Sequence, residues 1–460
     1  MQYLGIEYQM KHLPKLDETF IPFGVWREAY LKEAKQPMAI AVERDNGQIS
    51  VHHTFVHGTQ EMQEADYRYV ERFVKFLLWS IGGFKVYICG CSELAKKLQA
   101  AYQIGGQREF DYIFVQQLYE QDLQILDLPL ESCPEANEVA QPMGGHMDGC
   151  RIGFDAGGSD RKVSAVIDGQ CVYSEEVIWF PKLESDPDYH YGHILEAFKT
   201  AASKMPRVDA IGVSSAGDYI DNEPRVASLF IKVPRDHWDK VKTIYTRAAA
   251  AIGDVPLVVA NDGDVSALAG AMGLGKGKLM GLAMGTSEAV GYVDADQNVL
   301  GWINELAFAP VDLQEGAMQD EWSTDFGVGC KYFSQDAVIK LCPAAGIELD
   351  ESLSLAEKLK AVQKLMEADD PRAQAIFETI GAYFGYTVVL YAQIYDLDYI
   401  MLMGRVMSGK GGDTILRVTN EILADEYPAL AAKCNVTLPD EKMRRVGQAV
   451  AAASLPKLAK

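Results

Sequence analysis

Long apolar runs are missing from this 460-residue chain, and no stretch approaches the roughly 20 consecutive apolar residues that span a bilayer. The N-terminus has no basic segment followed by an apolar one, so no secretion signal is expected. Basic residues are short: 43 Lys and Arg stand against 65 Asp and Glu, a formal charge of −22. That balance argues against general nucleic-acid binding, because a phosphate backbone needs a basic footprint. Cysteine pairing signals are also lacking. The eight cysteines, Cys89, Cys91, Cys133, Cys150, Cys171, Cys330, Cys342 and Cys434, form no CxxC pair. Reduced, mostly buried thiols in a cytoplasmic protein are the simplest account. Histidines number only eight; His52, His53 and His57, and His190 and His193, lie near one another without partners at metal-ligand spacing.

What is present is a hydrophobic fraction of 48%, as in a globular protein, and a length that predicts two or three domains. The most informative stretch is 152–167, IGFDAGGSDRKVSAVI, in which two apolar runs flank a turn with one carboxylate, two glycines and a hydroxyl. This predicts a β-hairpin. Its glycines allow close backbone approach to a phosphate, and Asp155 at the strand end suits a magnesium ion or its waters. An ordinary polar hairpin turn fits the same residues.

Residues 130–150, rich in Pro, Gly, Asn and Glu, read as a linker, which sets off an N-terminal α/β domain over 1–130. Within it, Asp45-Asn46-Gly47 between two apolar runs predicts a hairpin, followed by helix, strand and helix. This order faintly echoes the later half-domain, so a degenerate copy of the same fold stands beside an unrelated α/β module as a reading. After 150, strands and helices alternate, which implies a sheet covered by helices. A second glycine-containing hairpin, KLMGLAMGTSEAVGYV, follows a strand–helix series. It suggests two similar halves with a cleft between them.

The stretch from 151 to about 455 resembles the ROK sugar kinases and repressors of the actin/hexokinase/Hsp70 superfamily. Asp155-Ala156-Gly157-Gly158-Ser159 is similar to that family's first phosphate loop, and Gly285-Thr286-Ser287 to its second. Between them, Ile211 to Gly217 resembles the strand and turn separating sugar and phosphate sites. Asn261-Asp262 follows an apolar strand as the family's sugar-binding Asn and catalytic Asp do. Gly404 after YIMLM resembles the adenosine motif, and GQAVAAA at 447–453 the closing helix. The resemblance implies an α/β, two-lobed actin-like (ribonuclease H-like) fold with an added N-terminal domain. It places the first lobe at 151–262, closed by a helix at 441–455, and the second at 263–440, after a linker at 131–150.

The chemistry implied is transfer of a phosphoryl group from ATP, with Mg2+, to a sugar hydroxyl. Such transfer needs positioning and charge compensation above all. Asp262 is then the base that takes the hydroxyl proton; capping of the next helix by Asn261-Asp262 is the plainer role, and both can coexist. Glu305 and Asn261 are implied as sugar ligands. Gly157, Gly158, Ser159, Gly285, Thr286 and Gly404 are implied for ATP, and Asp155 for magnesium through water.

Departures from the family are several. Ala307-Phe308 stands where Gly-His is usual. The cysteine cluster expected near 323–330 is reduced to Ser323, Asp325 and Cys330, too few ligands for a closed zinc site, so no zinc is expected. Tyr332 replaces a second Glu, and with Phe308 predicts a less polar sugar pocket. Asp160 and Glu288 add negative charge beside the two turns, and Arg405 replaces a glycine of the adenosine motif. Two functions stay open: a kinase, and a non-catalytic sugar- or nucleotide-binding regulator. Either implies a small-molecule sugar partner, no nucleic acid or membrane, and a homodimer as an allowed assembly.

Overall fold

The computed structural model describes residues 1–139, 143–441, 443–444 and 446–458. Positions 140–142 of the expected linker, and 442 and 445 of the expected closing helix, lie outside the described residues. Two compact units are formed, each from several chain segments. Among the described residues no helix is long and apolar enough to cross a membrane.

The second unit comprises Ala140–Gly281, Gly291–Gly301 and Pro439–Lys460. Its sheet has five strands in the order Leu257–Asn261, Ala210–Ser215, Cys150–Ala156, Asp160–Ile167, Gln170–Ile178. The first three are parallel; the last two extend the sheet antiparallel as hairpins. Its core joins Ile152, Phe154, Ile211 and Val213 of the strands to Ile194 and Phe198 of the helix Pro187–Ala202. The apolar spacing over 235–252 predicts one helix; the structure has a 3-10 turn and two short helices, Trp238–Lys242 and Ile244–Ala250, broken at Thr243. The expected closing helix is shorter than its pattern, Gln448–Ala453. It lies directly on the sheet because two strands offer glycine there. A Cβ built on Gly153 would overlap the Ala449 carbonyl oxygen and lie 2.9 Å from the Ala453 Cβ; one on Gly212 would overlap the Ala452 carbonyl oxygen. The obstacle is helix backbone, which cannot rotate aside. Gly153→Ala is therefore expected to destabilise the second unit by about 1–3 kcal/mol, read as a lower urea midpoint with unchanged slope.

The first unit comprises Met1–Val139, Leu282–Val290 and Trp302–Leu438. One of its sheets has the order Ile49–Val56, Gln36–Glu43, Lys85–Cys89, Gln124–Leu128. The hairpin expected at Asp45-Asn46-Gly47 is present; Asn46 and Gly47 take φ of 55° and 67°, the left-handed pair that an Asn-Gly turn adopts at least cost. The strand Gln36–Glu43 runs antiparallel to Lys85–Cys89, whereas the corresponding pair in the second unit is parallel. The chain connectivity therefore differs from that of the second unit, whose first strand pairs parallel with the strand that follows its hairpins.

The N-terminal residues are built into this unit's other segments. Phe23 N–H donates to the Val311 carbonyl (2.9 Å), Leu313 N–H to Ile21 (3.0 Å), and the Tyr383 hydroxyl to Asp17 (2.6 Å). Gly24 lets the helix Phe23–Glu33 approach the long helix Pro371–Tyr391, since a Cβ there would stand 2.7 Å from the Leu390 nitrogen.

Candidate functional site

In the second unit the three parallel strands end together. Register sets Ser214 between Asp155 and Ala260, and Ser215 between Ala156 and Asn261. Open α/β sheets bind ligands beyond such carboxyl ends. Asp155 is 7% exposed and accepts a bond from Ser214 Oγ (3.0 Å). Burial pushes its carboxyl up to about 6; Ser214 and Lys162 oppose that shift, while the Asp262 charge adds to it. Asp262 is half-buried and likewise raised by burial, with Lys182 opposing. Among the described residues no three His, Cys, Asp or Glu converge as metal ligands. Magnesium suits such a place, since it commonly takes one or two carboxylates and fills its octahedron with water and phosphate oxygens. A buried carboxylate raised toward protonation, with a second carboxylate's charge adding to the shift, fits a cation.

Asn261 takes the capping role that the sequence offered for it. Its side-chain oxygen accepts from Gly263 N–H (2.7 Å), capping a helix that begins at Asp262. Its amide donates to the Gly217 carbonyl (2.8 Å). The closing helix reaches the same place: Gln448 Nε2 donates to Ser214 Oγ (2.9 Å) and to the Asp262 carbonyl (3.0 Å).

The turn Gly157-Gly158-Ser159 leaves the Asp155 strand partly open to solvent. Trp179, almost wholly buried, holds it by donating Nε1–H to the Gly157 carbonyl (2.7 Å) and its backbone N–H to Ser159 (3.2 Å). Asp160, expected to repel phosphate, is paired with Lys162 (3.1 Å). Sequence reasoning missed Lys182, whose ammonium stands beside Gly158. It lies in a loop after an edge strand, where no periodicity or motif marks it.

The remaining expected site residues lie in the first unit. Thr286 is exposed at the turn after the strand Leu279–Met284, and Gly285 N–H bonds the Ser287 carbonyl (3.0 Å). Gly404 (φ 96°) packs on that strand's end, where a Cβ would come within 2.7 Å of the Met284 nitrogen; Arg405 beside it is exposed. Glu305, half-buried, precedes the 3-10 turn Leu306–Phe308.

Three expectations about altered pockets change here. Glu288 does not add charge beside the second turn. It is 4% exposed, accepts from the Tyr391 hydroxyl (3.2 Å), and its other oxygen makes no hydrogen bond among the described residues. Burial, with the Glu305 charge in support, pushes it up to about 8, so it is mostly protonated at neutral pH. Tyr332 lines no pocket: it is fully buried, donates to Asp312 (2.5 Å), and packs on Phe20 and Tyr383. Phe308 is taken up by Trp79 (4.7 Å) and Phe110 (5.4 Å).

Glu288 has a thermodynamic signature. The folded state keeps a proton that the unfolded chain, at its ordinary 4.5, releases. Its contribution is full below about pH 4.5 and is lost as pH rises toward 8, at up to about 1.4 kcal/mol per pH unit. Glu288→Gln, of the same shape and without the proton, is expected to flatten this decline in a series of melts from pH 5 to 9.

The segment where the family's cysteines would fall is an ionic cluster. Asp325 meets Arg72 (2.9 Å), Lys75 (3.0 Å) and Arg108 (2.7 Å), all buried. Cys330 Sγ lies 3.5 Å from Asp320, while Lys331 pairs with Glu321 (2.6 Å) and Asp336 (2.7 Å).

No protein-family model matches the chain, and no curated protein matches it. Among solved structures, a ROK hexokinase from Thermus thermophilus aligns with a TM-score of 0.51 at 16% identity, covering 66% of this chain and 97% of its own. A ROK family glucokinase from Streptomyces griseus, in complex with glucose and AMPPNP, aligns at 0.46 and 17%, covering 67% and 98%. A ROK family transcriptional regulator, a homolog of the E. coli Mlc protein, aligns at 0.49 and 15%, covering 67% and 79%. The parallel-strand sheet with its two antiparallel hairpin strands, and the alignment over nearly the whole hexokinase, give this chain the actin-like α/β fold of the ROK sugar kinases.

Proposed function

We propose that this protein transfers a phosphoryl group from ATP, with Mg2+, to a hydroxyl of a sugar or sugar-like molecule. One observation carries the reading: Asp155, the Gly157–Ser159 turn and Asn261-Asp262 stand together at the ends of three parallel strands, with both carboxyls held above their ordinary range. Asp262 takes the proton of the acceptor hydroxyl; a carboxyl raised toward neutrality is better matched to that task than an ordinary one. The backbone N–H groups of Gly157, Gly158 and Ser159 receive phosphate oxygens. Asp155, oriented by Ser214, holds magnesium through water, and magnesium would supply charge neutralisation on the phosphates. Gly285, Thr286 and Gly404 bind nucleotide; Asn261 and Glu305 bind sugar hydroxyls, Glu305 as an ionised carboxylate. We place the protein in the cytoplasm, acting on a small molecule without nucleic acid or membrane, with a homodimer compatible.

Arg405 favours the second reading, a binder without catalysis, since an exposed guanidinium occupies the adenosine motif. The other support for it is weaker than the sequence suggested: Glu288 is buried and mostly neutral, Asp160 is paired, and Phe308 belongs to an aromatic cluster. The test is a panel of hexoses and amino sugars with ATP and magnesium. ADP release that depends on one sugar supports the kinase. ATP-dependent thermal stabilisation without ADP release supports the binder.

A further inference from the structure

One cation near the glycine turn has no role in the account above. Lys182 sits exposed in the 3-10 turn Pro181–Leu183. A Cβ built on Gly158 would lie 3.1 Å from its Cε and 3.3 Å from its Nζ, so the ammonium stands against the turn. Its charge also opposes the rise of the Asp262 carboxyl. The placement is built. Trp179 ties the turn to the segment leading into Lys182, and His190, wholly buried, bonds the Pro181 carbonyl through Nε2 (2.9 Å). The neighbouring cations are committed: Lys162 to Asp160 (3.1 Å) and Arg161 to Glu196 (2.7 Å). Lys182 makes no ion pair among the described residues. A free ammonium beside exposed glycine N–H groups suits an anionic oxygen held at that turn.

We propose that Lys182 is a catalytic residue, donating an N–H to a non-bridging oxygen of the phosphoryl group in flight. The inference rests on the sugar-kinase reading. In the step, the bond between the γ-phosphorus and the oxygen bridging to ADP breaks, and its electron pair leaves with ADP. A bond forms from the acceptor oxygen to phosphorus, and the hydroxyl proton passes to Asp262. Lys182 keeps its proton throughout. Its part is a fixed positive charge where negative charge spreads over the equatorial oxygens, and a single such donor contributes about 10²–10³ in rate.

The experiment compares the wild type, Lys182→Gln and Lys182→Arg by steady-state phosphorylation of the best sugar and by calorimetric titration with ATP. Because the side chain is exposed, circular dichroism is expected to match across the three. Lys182→Gln should lose about 100-fold or more in kcat with a much smaller change in KM for ATP, and Lys182→Arg should recover part of the loss. Wild-type kcat in Lys182→Gln overturns the inference and leaves the kinase standing. A wild type that binds ATP without turning over removes the kinase; a tenfold weaker affinity in Lys182→Gln would then keep Lys182 as a phosphate ligand, and an equal affinity would overturn it. A wild type that binds no ATP overturns both.

Discussion

Asp262→Asn should abolish sugar phosphorylation while leaving the protein folded. The amide cannot take the hydroxyl proton, and loss of a positioned base costs about 10²–10⁴ in rate. Asparagine keeps the shape of the side chain. The bond from Gln448 to residue 262 uses the backbone carbonyl, so the substitution leaves it in place. Removing a carboxyl that burial already disfavours should leave the melting temperature equal or slightly higher. ADP release measured beside a thermal melt separates the two effects. Undiminished turnover in Asp262→Asn would remove this residue from the chemistry.

Asp325→Ala should be the most destabilising single substitution in the first unit. Asp325 neutralises Arg72, Lys75 and Arg108, and the remaining anions, Glu71 and Asp111, already bond the same cations. Truncation leaves buried positive charge uncompensated, at a cost of about 3–5 kcal/mol. Acid should imitate the mutation. The neighbouring cations hold the Asp325 carboxyl down to about 2, against burial that would raise it. Its contribution is therefore present above the ordinary carboxylate range and is lost as pH falls toward 2. Urea unfolding at pH 7 and at pH 3 checks both statements; equal midpoints for wild type and Asp325→Ala at pH 7 would show that the cluster contributes nothing net.

The second unit was largely legible in the sequence, because its parts are local. Apolar runs of strand length, a glycine turn after Asp155, and Asn261-Asp262 at a strand end each announce themselves within about ten residues. The helix broken at Thr243 was not legible, since its apolar spacing continues across the break. The first unit was harder. The destinations of Glu288, Phe308 and Tyr332 depend on partners far off in the chain, such as Tyr391 for Glu288, Trp79 for Phe308 and Phe20 for Tyr332. A motif comparison reads those positions as pocket residues. Only the fold reveals that N-terminal residues supply rings that absorb Phe308 and Tyr332, and the cations that absorb Asp325. Lys182 was invisible for the opposite reason: an exposed lysine in a loop is chemically ordinary until its neighbour is known to be a glycine turn.

The contact between Gln448 and Ser214 joins residues 234 positions apart. The groove floored by Gly153 and Gly212 therefore stays open through synthesis of all the intervening chain. Until the last helix emerges from the ribosome, two bare glycine strands face water with nothing laid across them, and loop closure of that length is slow. A newborn chain would spend that interval as a client for chaperones that shield unfinished sheets.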